Sequence, residues 1–185
     1  MTWTAGCWSR AGVKLLAISG SARAASTNTA LLRALADVAA PEDCVHVWAD
    51  LTGLPVFSPD CEGAATPIAV LEFANLVGDA DGLVISCPEY VHALPGGFKN
   101  AIDWLVSRDE IIAKPTALLH ASHRGEDALA SLRLVLSTVS ERFYPEIFER
   151  FELISKSPHE VAEHLAQPEQ QTRLRAYLAR FAAVV

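Results

Sequence analysis

The residues best suited to chemistry lie in a short polar segment that follows an apolar run near the N-terminus. Residues 20–28 read Gly-Ser-Ala-Arg-Ala-Ala-Ser-Thr-Asn and lead directly into a helical pattern. An arginine offers a rigid fork of N–H groups that suits phosphate oxygens, and the unpaired N–H groups at a helix start add positive potential. The segment therefore predicts a phosphate site. Its expected ligands are Ser21, Arg23, Ser26, Thr27 and Asn28.

The spacing within this segment also restricts the kind of phosphate. The Gly-x-Gly-x-x-Gly fingerprint of dinucleotide-binding folds is absent, and no Gly-Lys-Ser/Thr follows the apolar run. A terminal phosphate monoester therefore fits better than a pyrophosphate or a triphosphate. Taken alone, the segment also allows a simpler interpretation, in which Ser26 or Asn28 only caps the helix and Arg23 lies in solvent.

The rest of the chain alternates short apolar runs with longer segments of helical period, which predicts βαβ units and a mainly parallel sheet. The predicted strands are 13–19, 45–49, 82–87, 116–121 and 151–155. The predicted helices are 28–39, 67–78, 95–107 and 126–143, followed by a helical C-terminal region that begins at Ser157 and breaks at Pro168.

Five strands with intervening helices and right-handed crossovers leave few topologies open. We expect an α/β fold of the flavodoxin-like type, a three-layer sandwich around a five-stranded parallel sheet of order 2-1-3-4-5. In such sheets ligands bind beyond the carboxyl ends of the strands, at the point where the strand order reverses. The loops after strands one, three and four should therefore lie side by side.

Composition narrows the class of protein. The chain of 185 residues, 51% hydrophobic and 20% charged, suits one soluble domain. A formal net charge of −7 argues against a general nucleic-acid surface, and the apolar runs are too short to span a membrane. The absence of a C-x-x-C pair and of a secretory signal predicts reduced thiols in a cytoplasmic protein. The cysteines are Cys7, Cys44, Cys61 and Cys87.

The segment after the third predicted strand is the most specific. Residues 88–104 contain Pro-Glu-Tyr, then Pro-Gly, then Lys-Asn-Ala-Ile-Asp-Trp. Residues 54–60 read Leu-Pro-Val-Phe-Ser-Pro-Asp, and residues 132–136 read Leu-Arg-Leu-Val-Leu. With the Gly-Ser-x-Arg-x-x-Ser-x-Asn pattern of residues 20–28, this set resembles the NAD(P)H-dependent FMN reductase family, which includes quinone, chromate and azo-dye reductases of flavodoxin-like fold. The resemblance runs from about residue 13 to residue 136.

The resemblance implies how flavin mononucleotide (FMN) would be held. Pro88, Glu89, Tyr90 and Val91 should border the isoalloxazine ring, and Ser122 and Gly125 should close the other side. Because the flavin carries the redox chemistry, no catalytic side chain is expected. Residues 13–185 would form the FMN-binding domain, and residues 1–12 an N-terminal leader that is either packed or flexible. Packing and subunit contacts are implied for Lys99, Asn100, Asp103 and Trp104.

Two segments depart from the family pattern. Val91 stands where the family typically has asparagine, and His92 where glycine or a small polar residue often follows. Residues 122–127 read Ser-His-Arg-Gly-Glu-Asp where the family loop is usually glycine-rich. These differences concern the nicotinamide and acceptor side of the site more than the phosphate side.

Other chemistries are less well supported. His92, His120 and His123 are expected near one sheet edge, but no acidic or thiol partner stands at a metal-ligand spacing, and no metal is expected. The Gly-x-Ser-x-Gly elbow of hydrolases is absent. Cys87 is expected to be a buried residue at a strand end rather than a reactive thiol.

These observations predict an oxidoreductase that passes hydride or electrons from NADPH or NADH through FMN to a quinone-like or other small acceptor. The expected protein is a cytoplasmic homodimer or homotetramer without nucleic-acid or membrane partners. Two alternatives remain open. One is an FMN-binding or regulatory module without significant turnover, and the other is a scaffold that binds no flavin.

Overall fold

The computed structural model describes residues 12–185 and contains one five-stranded parallel sheet. Its order is β2-β1-β3-β4-β5, which confirms the predicted topology. The strands are β1 (Lys14–Ser19), β2 (Cys44–Trp48), β3 (Gly82–Ser86), β4 (Thr116–His120) and β5 (Phe143–Arg150). The helices are α1 (Thr27–Asp37), α2 (Ile68–Asp79), α3 (Gly96–Asp103), α4 (Asp109–Ile112), α5 (Glu126–Val139), α6 (Pro158–Leu165) and α7 (Pro168–Ala182).

The central strands are apolar throughout because both faces of the sheet are covered. In β1, Leu15 and Ala17 belong to the core formed with α1, α6 and α7. The alternate residues Leu16 and Ile18 belong to the core formed with α2, α3 and α5. Successive side chains of a strand point to opposite faces, so a continuous apolar run supplies two cores, and the predicted three-layer sandwich is confirmed.

The prediction for the fifth strand is wrong. Helix α5 ends at Val139, four residues earlier than predicted, because Ser140 is extended (φ −128°, ψ 127°). The strand is Phe143–Arg150 rather than 151–155. An edge strand that is partly exposed and carries Pro145 has little apolar pattern to recognise. Phe151 and Leu153, which suggested the strand, are fully buried in irregular backbone.

The backbone of β5 accepts hydrogen bonds from arginines of α7. Arg173 Nη2 donates to the carbonyl of Arg150 at 2.6 Å, and Arg180 Nη2 donates to that of Phe148 at 3.4 Å. Both guanidinium groups also contact the carboxylate of Glu149. Helix α7 is therefore attached to the last strand of the sheet through charged side chains as well as through its apolar face.

The cysteines of the described residues differ in oxidation state. Cys61 and Cys87 have free thiols, whereas Cys44 is disulfide-bonded, so the expectation of reduced thiols is wrong for Cys44. Spacing along the chain carries no information on which thiols meet in space. Residues 1–11, which include Cys7 and nearly all of the predicted leader, lie outside the described residues. Between residues 12 and 185, no helix has the length and apolar character needed to cross a bilayer.

Candidate functional site

A cavity of about 390 Å³ opens beyond the carboxyl ends of β1, β3 and β4, next to the point where the strand order reverses. The predicted site residues that line it are Ser21, Arg23, Ser26, Thr27, Asn28, Pro88, Glu89, Tyr90, Ser122 and Gly125. Val91 does not line it and is 95% exposed. The lining residues without a sequence prediction as ligands are Cys87, His120, Ala121, Arg124 and Ile154.

One end of the cavity is formed by the loop between β1 and α1, which is ordered by short local hydrogen bonds. Ser26 Oγ accepts from the backbone N–H of Thr29 at 3.3 Å and caps α1. Ser21 Oγ accepts from the N–H of Arg23, also at 3.3 Å. The simpler interpretation of Ser26 as a helix cap is thus correct, but Ser26 also lines the cavity, at the positive end of the helix.

This loop is also attached to the end of β3. The N–H of Gly20 donates to the carbonyl of Ser86 at 2.8 Å, and a Cβ at Gly20 would lie 2.6 Å from Cys87 Sγ. Only glycine permits this approach. Ser86 Oγ donates to Asn28 Oδ1 at 2.9 Å, which orients the buried amide and leaves its N–H groups available to a ligand.

Arg23 provides the positive charge at this end. Its side chain is exposed, lines the cavity, and makes no hydrogen bond or ion pair with any residue from 12 to 185. A guanidinium without a partner beside a helix start is a suitable site for a phosphate dianion.

The other end of the cavity is bordered by the loop after β3, which forms a tight hairpin. Tyr90 and Ala93 exchange two backbone hydrogen bonds of 3.0 and 3.1 Å, and the two residues between them have positive φ angles, 53° at Val91 and 57° at His92. The hairpin therefore uses the backbone N–H of Tyr90, which is then not free to donate to a ligand. Within the described chain, the N–H of Glu89 has no protein partner and is free to donate to a ligand.

The side chain of Glu89 joins the two loops that border this end. Gly125 is the N-cap of α5, with φ of +96°, and has no side chain to accept a hydrogen bond. Glu89 Oε2 accepts instead from the N–H of Ala128 at 2.9 Å. Glu89 thus caps α5 from a neighbouring loop, a contact that the sequence did not predict.

His92 strengthens the same connection. Its Nδ1 lies 2.6 Å from Asp127 Oδ2 and 4.0 Å from Glu89 Oε1. The hydrogen bond to Asp127, with the charges of Asp127 and Glu89, raises the pKa of His92. The sequence showed no acidic partner of His92 at a metal-ligand spacing, and the fold brings Asp127 to it from 35 residues away in the chain. One ligand atom from each of these three residues lies within 4.8 Å of the others, but two of the side chains are exposed and pair directly with each other.

Two further titratable groups in the cavity wall are uncharged near neutral pH. Burial lowers the pKa of His120, and a neutral ring donates from Nε2 to the carbonyl of Arg124 at 2.6 Å. Burial raises the pKa of the Cys87 thiol. Cys87 is therefore not a thiolate nucleophile, and His120 is not an imidazolium. The role of His120 is to shape the loop after β4 through its hydrogen bond to Arg124.

The motif in α3 has a clear packing role. Asn100 accepts from the N–H of Phe57 at 2.8 Å and donates to the carbonyl of Pro55 at 2.9 Å. Trp104 Nε1 donates to the same carbonyl at 2.8 Å, and the side chain is buried. These contacts hold residues 54–60, so Asn100 and Trp104 have a packing role.

Comparison with known proteins gives a consistent result. A family model described as NADPH-dependent FMN reductase matches residues 13–148. The chain is 37% identical over 112 residues to an NAD(P)H-dependent FMN reductase of Pseudomonas aeruginosa, which covers 60% of each protein. It is 40% identical over 92 residues to a 2-hydroxy-1,4-benzoquinone reductase of a Burkholderia species (50% of this chain, 49% of the relative). It is 34% identical over 116 residues to a quinone reductase of Escherichia coli K12 (61% of each).

The chain thus spans about half to three fifths of the length of these relatives. Among solved structures, the flavoenzyme FerB of Paracoccus denitrificans superposes with a TM-score of 0.69 at 22% identity, covering 91% of this chain and 97% of FerB. Flavodoxin 1 of Bacillus cereus superposes with a TM-score of 0.56 at 18% identity, covering 93% and 99%. At these identities the likeness concerns the fold, and it confirms the flavodoxin-like type.

Proposed function

Since this chain belongs to the NADPH-dependent FMN reductase family, we propose that it binds FMN in the cavity above and is an NAD(P)H-dependent oxidoreductase. The observation that carries the proposal is the unpaired Arg23 guanidinium at the start of α1, inside a cavity of about 390 Å³. Cavities that bind cofactors occupy roughly 300–1,000 Å³. Residues 13–185 are the proposed FMN-binding domain.

The proposed ligands divide between the two ends of the cavity. Arg23, Ser21, the first turn of α1 and the amide of Asn28 would hold the phosphate. Pro88, Tyr90 and the backbone N–H of Glu89 would border the ring, with Ser122 and Gly125 opposite. Val91 is left out of this set because it lies outside the cavity wall.

When bound, FMN supplies the redox chemistry by accepting hydride from a nicotinamide and passing electrons on. The protein residues bind, orient and shield the reacting partners. Glu89 fixes the distance between the two loops through Ala128. His120 and Cys87 present neutral groups to the cavity, because burial lowers the pKa of the first and raises that of the second. No side chain has to carry a proton during hydride transfer.

A quinone-like acceptor is proposed because two relatives of this chain are named for quinones. The use of NAD(P)H supports a cytoplasmic location, where that coenzyme is available. A homodimer or homotetramer is proposed from the family resemblance and from exposed apolar side chains at Val56, Ile68 and Val106. Light scattering of the purified protein measures the oligomer directly, and a monomer at micromolar concentration would contradict it.

The test of function is the visible spectrum of the purified protein before and after anaerobic addition of NADPH. A flavin band that bleaches with NADPH and returns on addition of a quinone is the expected result. A flavin band that NADPH does not bleach would favour a binding module without turnover, an alternative suggested by the departures from the family pattern at Val91 and residues 122–127. Protein that stays colourless after incubation with FMN would contradict both functions.

A further inference from the structure

The cations without partners are concentrated in one region of the molecule. Between residues 12 and 185, nearly every lysine and arginine side chain makes a hydrogen bond or an ion pair with the protein. The exceptions are Arg23, Arg33, Arg124 and Lys156. Arg23 and Arg124 line the flavin cavity, whereas Arg23, Arg33 and Lys156 line an adjoining cleft of about 160 Å³.

The three cations of this cleft come from separate elements. Arg23 belongs to the loop after β1, Arg33 to the middle of α1, and Lys156 to the segment before α6. No aspartate or glutamate is among the described residues that line the cleft, although the chain has a net charge of −7. Glu160 interacts with Lys156 only at a distance, through its charge. With Arg23 at the border to the FMN phosphate, Arg33 and Lys156 add two positive charges without an acidic side chain in the cleft wall, which favours a second anionic group.

The cleft is continuous with the phosphate end of the flavin cavity. Arg23, Ser26 and Thr27 line both. Its volume of about 160 Å³ is below the roughly 300 Å³ of a typical site for a whole organic ligand. A single phosphate group, attached to a larger molecule that extends outside, matches both the size and the charge.

We propose that the cleft of Arg23, Arg33 and Lys156 binds a second phosphate ester, in addition to the FMN phosphate. This inference rests on the proposed function, because the phosphate belongs to a nucleotide that reaches the flavin cavity. Two nucleotides present such a group: the 2′-phosphate of NADPH, which NADH lacks, and the adenylate phosphate of FAD, which FMN lacks. In either case the positive charge of the cleft distinguishes the nucleotide that has the additional phosphate from the one that lacks it. This selection takes place beside the flavin phosphate and not at the flavin ring.

The experiment compares Arg33→Gln and Lys156→Gln with the wild type, using the FMN-loaded protein and a quinone acceptor. Arg175→Gln is the matched control, since Arg175 is also an exposed arginine on a helix and lies outside both cavities. The ratio of kcat/KM for NADPH to kcat/KM for NADH should fall by about five- to tenfold in each cleft variant if NADPH is the source. The NADH value itself should not change, because NADH has no 2′-phosphate.

Two binding measurements test the proposed phosphate site without relying on enzymatic turnover. Calorimetric titration of the FMN-loaded protein with adenosine 2′,5′-bisphosphate and with adenosine 5′-monophosphate should show tighter binding of the bisphosphate, and Arg33→Gln should remove the difference. Titration of apoprotein with FAD and with FMN tests the other source, for which only the FAD affinity should fall in Arg33→Gln.

The proposal is overturned if neither the coenzyme ratio, nor the bisphosphate preference, nor the FAD affinity differs between Arg33→Gln and Arg175→Gln. Failure of the proposed function gives a different result, namely no flavin spectrum or no turnover in the wild type. The bisphosphate titration of wild type and Arg33→Gln then still decides whether the cleft binds a phosphate ester.

Discussion

The two ends of the flavin cavity are built by different means. At the phosphate end, the hydrogen bonds accepted by the serine side chains of the loop join neighbours in the chain, two residues apart from Ser21 to Arg23 and three apart from Ser26 to Thr29, and the loop is attached to Ser86 at the end of β3 through Gly20 and Asn28. At the ring end, the contacts join distant segments. Glu89 and Ala128 are 39 residues apart, and His92 and Asp127 are 35 apart.

This difference has an energetic meaning. Hydrogen bonds between neighbours, together with the attachment to β3, should keep the first loop in place when the other end of the cavity changes, whereas the two loops at the ring end should move apart when one of the side-chain contacts between them is lost. The phosphate end should therefore respond to mutations of charge, and the ring end to mutations of loop attachment. Riboflavin, which has the ring of FMN but no phosphate, separates the two responses experimentally.

The largest expected effect is at the phosphate end. Arg23→Ala should weaken FMN binding by roughly 10- to 100-fold, because hydrogen bonds to charged groups contribute about 1.5–3 kcal/mol. Riboflavin binding should stay unchanged, since the ligand has no phosphate. Fluorescence titration of apoprotein with both flavins measures this. Equal losses for the two flavins, or unchanged FMN affinity, would show that Arg23 does not contact the phosphate.

The next largest effect is expected at Gly20, where the loop after β1 approaches the end of β3. In Gly20→Ala the new Cβ would lie 2.6 Å from Cys87 Sγ and 3.0 Å from Cys87 Cα, so the backbone must shift. We expect the free energy of unfolding to fall by about 1–3 kcal/mol, the usual range for overpacking, with weaker binding of both flavins. Denaturant unfolding is the measurement. Gly96→Ala is the control, because a Cβ there meets nothing within 4 Å; equal stability of the two variants would contradict the close approach.

A smaller effect is expected at the ring end. Glu89→Ala removes the cap of α5 and should lower the free energy of unfolding by about 1 kcal/mol, as loss of a helix cap does. FMN and riboflavin affinities should fall together. Glu89→Gln keeps an acceptor for the N–H of Ala128 and should restore both properties.

The matched control for this prediction is Ser157→Ala, which removes the cap of α6 outside the flavin cavity. It should cost similar stability without changing flavin affinity. If Ser157→Ala weakens flavin binding as much as Glu89→Ala, then Glu89 acts only through general stability and not through the position of the two loops.

The smallest effect is the pH dependence of the His92–Asp127 contact, since both side chains are exposed and screened by solvent. Asp127 raises the pKa of His92, so the protonated form is favoured in the folded state. The stabilisation is then fully present below the ordinary pKa of histidine, about 6.5, and is lost as the pH rises through the higher folded value. The melting temperatures of wild type and His92→Ala should differ near pH 6 and converge near pH 9. A constant difference would refute this, and His159→Ala is a control on another surface.

The sequence predicted that the residues after β1 come together at one site, and the structure places them in one cavity wall. Ser21, Arg23 and Ser26 lie within one short segment, so their spacing already contains the geometry. The three inner strands, β1, β3 and β4, were also predicted, because burial on both faces leaves continuous apolar runs in the chain.

The ring end was predicted less completely, because its contacts depend on which loops the fold brings together. Glu89 was expected at the ring, but nothing local shows that its carboxylate caps α5. The positive φ angle of Val91 directs that side chain away from the cavity, an effect of hairpin geometry that residue type does not reveal. The error at β5 has a related origin. An edge strand that contains Pro145 has only a weak pattern of alternating apolar residues. Phe151 and Leu153 have the apolar character of a strand, but they are buried in irregular backbone.

The arginines of α7 that donate to β5 have a further consequence for the behaviour of the protein in concentrated solution. A terminal strand offers its unpaired backbone groups to other chains and can template intermolecular sheet growth. Here Arg173 and Arg180 occupy the carbonyls of Arg150 and Phe148 with side chains that also carry charge. A foreign strand would have to displace both guanidinium groups from Glu149 before it could pair with β5, so fibrillar aggregation along this border is disfavoured.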